Sequence, residues 1–146
     1  MSAPGIPTAL IGFGKVAQGY SRDSKMAMHY QYACHAQVLR DHKAFDWCAV
    51  VDSDQAATCF AQSEWGIQSV ATSLSGLGSL REKIEVAVLA TPPERRMDFI
   101  SELPALRAVL IEKPLGTTLE RSRVFLNECK QRGIMVQVNF WRRADH

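Results

Sequence analysis

Short apolar runs recur along this chain, separated by stretches that read as helices. The runs cover residues 9–11, 47–51, 67–71, 86–90, 108–111 and 134–138. Each is too short for a core helix, and most are apolar on consecutive positions, as expected of strands covered on both faces. Between them, helices are expected over 15–20, 35–43, 55–65, 73–83 and 94–103, with a last one from Thr117 or Thr118 to about Arg132. Gly66 and Gly133 stand where two of these helices would stop, and Gly76 and Gly78 weaken the one around them. Strands alternating with helices predict an α/β fold with a doubly wound, mostly parallel six-stranded sheet and helices on both faces. Ligands of such sheets lie beyond the carboxyl ends of the strands.

The first run ends in Gly-Phe-Gly-Lys-Val-Ala over 12–17. Gly12 would make the tight turn off the strand, Gly14 would let a pyrophosphate approach the backbone, and Ala17 is small enough for a helix to pack on the strand. That makes Gly12, Phe13, Gly14, Lys15 and Val16 a candidate dinucleotide turn, and the sheet Rossmann-type. The free N–H groups of the helix expected from Lys15 would face the phosphates. The second run ends at Asp52, whose carboxylate could accept from both ribose hydroxyls of an adenosine and would repel a 2′-phosphate, favouring NAD over NADP. The plainer role for Asp52 is to cap the helix over 55–65, which Ser53 or Asp54 could do equally well. Thr91, Pro92, Glu112, Lys113 and Asn139 also fall at or just after strand ends.

Asp52 lies 38 positions past Gly14, where about 20 is usual in this motif. Residues 21–34 therefore read as an insertion. Within it Met26, Met28, Tyr30 and Tyr32 alternate with smaller or polar residues, which suits either an extended lid or a plain surface excursion.

The 146 residues suit a single domain, expected over 1–139, with 140–146 starting a linker. Seventeen basic and 15 acidic residues are mixed along the chain, with a net charge of +2, so neither nucleic acid nor an anionic membrane is indicated. Cys34, Cys48, Cys59 and Cys129 form no CxxC pair, arguing against a zinc site or a disulfide framework and for free thiols in a reducing cytosol. His35 and His42, seven apart on one expected helix, read as surface or packing groups.

Taken together, GFGKVA at 12–17, AVVD at 49–52, VAVLATPP at 86–93 and EKPLG at 112–116 resemble the N-terminal domain of the Gfo/Idh/MocA family, which includes glucose-fructose oxidoreductase and inositol dehydrogenase. The resemblance implies an NAD(P)-dependent oxidoreductase that moves a hydride between nicotinamide and a secondary alcohol of a sugar, cyclitol or related polyol. It places Lys113 beside the nicotinamide and the substrate hydroxyl as the catalytic residue. Glu112 would position Lys113 or the nicotinamide ribose, Pro114 would fix the turn with its isomer left open, and Thr91 and Pro92 would lie along the dinucleotide. Where the family often has a histidine this chain has Arg96, which argues against a substrate contact there. Asn139, followed by Trp141, Arg142 and Arg143, resembles the crossover into a second domain that supplies much of the substrate pocket and the oligomer interface. Without that domain the chain would tend to self-associate and could lack turnover. A non-catalytic NAD(P) sensor or regulatory module is the alternative.

Overall fold

The apolar runs become six strands: β1 (Ile6–Ile11), β2 (Phe45–Val51), β3 (Ser69–Ala71), β4 (Val86–Leu89), β5 (Ala108–Ile111) and β6 (Met135–Val138). In the computed structural model, which describes residues 4–140, they form one sheet of order β3-β2-β1-β4-β5-β6 with every neighbouring pair parallel. The chain enters at the middle, runs out to β3, crosses back and runs out to β6. This is the expected doubly wound sheet, and its switch point lies between β1 and β4.

Alternate residues of each strand feed opposite cores. Ala9, Ile11, Val51, Leu89 and Ile111 pack with Phe99, Ile100 and Phe125 on one face. Leu10, Val50 and Val88 pack with Ala36, Leu39 and Ala61 on the other. β1 starts at Ile6, earlier than its apolar run suggests, because Pro7 and Thr8 disguise it. Pro7 has no N–H, but its carbonyl accepts from the Glu85 N–H at 3.0 Å, and the buried Thr8 hydroxyl donates to the Ile6 carbonyl at 2.8 Å.

The helices are α1 (Ser24–His29), α2 (His35–Asp41), α3 (Gln55–Trp65), α4 (Arg96–Ser101) and α5 (Leu119–Gln131). Asp54 caps α3 by accepting from the Ala56 N–H, and Thr118 caps α5 by accepting from the Arg121 N–H. α3 ends at Gly66 with φ of 71°, in the left-handed turn expected of it. Residues 74–83 form a 3-10 segment rather than an α-helix, interrupted at Gly78. α4 is shorter than expected and follows a 3-10 turn over Pro93–Arg95. The Arg132 guanidinium donates to the Ile100 and Leu103 carbonyls at and beyond its end.

The helix expected over 15–20 is corrected. After Gly14 the chain makes a single turn, in which the Gln18 N–H donates to the Gly14 carbonyl at 3.0 Å, and then a 3-10 helix over Gly19–Arg22. Past Tyr20, the residues Ser21, Arg22, Asp23, Ser24 and Lys25 offer no apolar stripe to bury, so a helix could not continue along the sheet. The stripe resumes at Ala36 and Leu39, and the helix resumes with it: the Ala36 N–H donates to the Ala17 carbonyl at 2.8 Å. The segment between is therefore looped out, and its two ends remain joined by a backbone hydrogen bond. Within the loop Asp23 accepts from the Lys25 and Met26 N–H groups and starts α1. This helical turn breaks the alternation an extended lid would need, leaving Met26 half-buried and Met28 exposed. No helix among the described residues is long and apolar enough to cross a membrane.

Candidate functional site

At the carboxyl end of β1, Gly12 adopts φ of 87°, and its N–H donates to the Val51 carbonyl at 2.8 Å. A Cβ there would stand 2.5 Å from the Ala90 oxygen. Gly12 thus lets the turn pass close to the end of β4. Gly14 differs: a Cβ there would meet nothing within 4 Å, so its bare backbone faces open space. Between them Phe13 is buried, with its ring 6.2 to 6.4 Å from those of Trp47, Phe60 and Trp65. What Phe13 gives this end of the sheet is its N–H, donated to Asp52 Oδ2 at 2.6 Å. Asp52 Oδ1 accepts from the Asp54 N–H at 2.9 Å. Asp52 therefore ties the glycine turn to the end of β2 and leaves the capping of α3 to Asp54. An ionised carboxylate has about four acceptor positions, so two stay open for a ligand. The Lys15 ammonium lies over the Tyr20 ring at 5.1 Å, and Val16 is exposed.

Gly12, Gly14, Asp52, Thr91 and Pro92 line one cleft of about 400 Å³ at the switch point. The Thr91 hydroxyl is buried and has no hydrogen-bond partner. A larger hollow of about 690 Å³ opens near the starts of α4 and α5, lined by Met97, Leu115, Thr118 and Phe125 among others. It contains none of the strand-end residues named above except the loop just past Lys113, so the smaller cleft is the candidate ligand site. Ser53, Thr72 and Arg95 also line that cleft. They belong to no motif and could have been found only by knowing which loops share the switch point.

Beyond β5 the chain makes a second constellation. Glu112 Oε1 accepts from Asn139 Nδ2 at 2.6 Å and lies 2.7 Å from His35 Nε2. Burial pushes the Glu112 carboxyl up, but the hydrogen bonds from His35 and Asn139, with the nearby charges of His35 and Lys113, outweigh it and hold the group below the usual carboxylate range. An ionised carboxylate only accepts, so His35 carries its proton on Nε2. Both donors use Oε1, and Oε2 stays open. Lys113 follows with an exposed side chain, and the Lys113–Pro114 bond is cis. His35 belongs to this site although its spacing with His42 pointed to packing. His42 does pack, its ring 5.2 Å from that of Phe45.

Arg96 is buried, with 1% of its surface exposed. One terminal nitrogen donates to the Thr91 and Glu112 carbonyls, each at 2.7 Å, and the other to the Pro114 and Leu115 carbonyls. The absence of a histidine here is thus filled by a side chain that points inward and joins two loops. Trp141, Arg142 and Arg143 lie outside the described residues.

A parallel sheet in this order, with a glycine turn and a strand-end carboxylate sharing the switch-point cleft, defines the Rossmann-type class of dinucleotide-binding domains. The chain belongs to the Gfo/Idh/MocA oxidoreductase family: residues 6–140 match the family's model for its NAD-binding Rossmann fold. No curated protein matches the chain significantly. Among solved structures, apo scyllo-inositol dehydrogenase from Lactobacillus casei superposes with a TM-score of 0.71 at 20% identity over 98% of this chain and 38% of its own. Myo-inositol 2-dehydrogenase from Lactobacillus plantarum gives 0.71 at 20% identity, over 96% and 38%. The Lactobacillus casei enzyme with bound NAD(H) and scyllo-inositol gives 0.70 at 19%, over 95% and 37%. The chain thus spans less than two fifths of the length of these structures.

Proposed function

We propose that this chain is the cofactor-binding part of an NAD-dependent oxidoreductase acting on a secondary alcohol of a sugar, cyclitol or related polyol. The observation that carries the reading is the meeting of two sites at one end of the sheet. The glycine and Asp52 cleft lies at the switch point, and the Glu112–Lys113 turn follows the strand next to β4. The similarity to an inositol dehydrogenase structure holding NAD(H) and scyllo-inositol supports the choice of ligands.

The residues present fit a dinucleotide. Gly14 offers backbone with open space above it, the unpartnered Thr91 hydroxyl asks for a ligand atom, and Asp52 keeps open acceptor positions. In this reading Gly12, Phe13, Gly14, Lys15 and Val16 form the phosphate turn, Asp52 takes the adenosine ribose, and Thr91, Pro92, Glu112 and Asn139 hold the nicotinamide side. Asp52 repels a 2′-phosphate, which selects NAD over NADP.

Bound NAD would supply the hydride acceptor. The chain's own part in the chemistry falls to Lys113. In alcohol oxidation its unprotonated amine would take the proton from the substrate hydroxyl as the hydride leaves, and the ammonium so formed would lower the energy of the charge developing on that oxygen; in the reverse direction the ammonium would return the proton. Glu112 keeps a negative charge beside Lys113, because His35 and Asn139 hold it ionised.

The test is calorimetric titration with NADH and NADPH in parallel. NADH should bind about tenfold or more tighter, corresponding to about 1.4 kcal/mol, and Asp52→Ala should abolish the difference. A folded chain that binds neither nucleotide overturns the reading. Lys113→Met should leave NADH affinity within about threefold, since Lys113 acts on substrate rather than on the dinucleotide. Binding without turnover of any polyol by the protein in its longest natural form would favour the sensor instead.

A further inference from the structure

Arg96 is the largest fully buried side chain among the described residues, and no carboxylate is hydrogen-bonded to it. Burial lowers its pKa, with the charges of Glu112 and Glu94 acting the other way. Removing a guanidinium from water is costly unless its N–H groups are paired. Here all four N–H bonds of the two terminal nitrogens are matched by the four carbonyls, and only Nε lacks a partner. An ordinary core position would be filled at less cost by an apolar side chain.

The identity of those carbonyls gives the arrangement its meaning. Glu112 and Pro114 are the residues immediately before and after Lys113, so one rigid fork holds the backbone on both sides of that lysine. The same fork holds the carbonyl of Thr91, whose hydroxyl is the unpartnered group of the cleft. The turn after β4 and the turn after β5 are thereby fixed to one another by a planar group. A lysine ammonium is a single point with three donors, and a histidine has two ring nitrogens, so neither reproduces this span.

We infer that Arg96 is a positioning residue: it sets the distance between the Thr91 turn, which faces the dinucleotide, and Lys113, which faces the substrate. The inference rests on the function proposed above, and it assigns to Arg96 the nicotinamide half of the site and not the adenosine half. Gly12 and Asp52, which serve the adenosine and pyrophosphate, are held by bonds to the Val51 carbonyl and the Phe13 N–H, and the Gly14 carbonyl accepts from the Gln18 N–H, so none of these bonds involves Arg96.

Two measurements on the full chain test this, using Arg96→Met, with Arg96→Lys as the second variant should the first fail to fold. The first compares NADH with ADP-ribose, which has the adenosine and both phosphates but no nicotinamide. In the variant, ADP-ribose affinity should stay within about twofold while NADH affinity falls about tenfold, a difference of about 1.4 kcal/mol. Equal losses for both ligands, or no loss for either, would overturn the inference. The second measures backbone ¹⁵N order parameters without ligand. Those of Lys113, Leu115 and Gly116 should drop from about 0.85 toward about 0.6 while Val88 and Val109 stay rigid. A uniform drop, as from general destabilisation, or none at all, would overturn it too. If the unmodified chain binds neither ligand, the dinucleotide reading has failed, and the order parameters alone decide whether Arg96 holds the Lys113 turn.

Discussion

His35 and Glu112 stand 77 positions apart in the sequence and meet at 2.7 Å, with side chains only 11% and 14% exposed. The contact joins the first residue of α2 to the turn that carries Lys113. Because Asn139 donates to the same oxygen, three separate crossings of the sheet converge on one carboxylate.

That convergence has a pH signature. The Glu112 carboxyl is held below its ordinary value of 4.5, so the folded state binds its proton less readily than the unfolded chain does. Its contribution to stability is therefore fully present above that value and disappears as pH falls through the folded-state value. Glu112→Gln should be less stable than the unmodified chain near neutrality, and the gap should narrow as pH falls below the ordinary value of 4.5. Urea unfolding followed through that fall checks it, and a gap of constant size would remove Glu112 from the acid response.

Gly12 and Gly14 should separate cleanly. Gly12→Ala forces a Cβ to within 2.5 Å of the Ala90 oxygen at a positive φ, and a loss of about 1–3 kcal/mol in unfolding free energy is expected. Gly14→Val meets open space and should leave stability within about 0.5 kcal/mol. It should nevertheless weaken NADH binding at least about tenfold by occupying the pyrophosphate's approach. Thermal unfolding and calorimetry on both variants give the two orders of effect, which should be reversed between them.

Asp52 has a structural share as well as a ligand share. Asp52→Ala leaves the Phe13 and Asp54 N–H groups without their acceptor, and about 1–3 kcal/mol of stability should go with it. Asp52→Asn retains one oxygen, so it should keep part of that stability while losing the discrimination against NADPH. Denaturant midpoints together with the NADH to NADPH affinity ratio separate the two shares.

Asp54 supplies a control away from the ligand chemistry. It accepts from the Ala56 N–H at 2.9 Å as the cap of α3, so Asp54→Ala should cost about 1 kcal/mol, seen as a lowered Tm, with NADH affinity unchanged.

The sheet was legible in the sequence because buried parallel strands cannot hide: 86–89 and 108–111 are apolar on consecutive positions, and both faces do pack. Gly66 could be placed at the end of α3 for a similarly local reason. The start of β1 was not legible, since Pro7 and Thr8 satisfy their polar groups by contacts that only the folded sheet provides. Asp52 could be placed at its strand end, but its bond to Phe13 depends on a turn 39 residues away. Arg96 and His35 were visible as residues and opaque as partners. Nothing local to an arginine says that four carbonyls will surround it, and nothing local to a histidine names a glutamate in the turn after β5.

The bond from Ala36 to Ala17 brings the start of α2 back against the turn that follows Gly14. The looped-out segment is therefore closed at its base, much as a hairpin stem closes its loop, and its length can change without displacing β1 or β2. Closing a loop twice as long adds only about 0.6 kcal/mol. The residues between Tyr20 and Cys34, which themselves pack on the core, can thus vary in length and sequence above an unchanged switch-point cleft, provided that His35 still returns to Glu112.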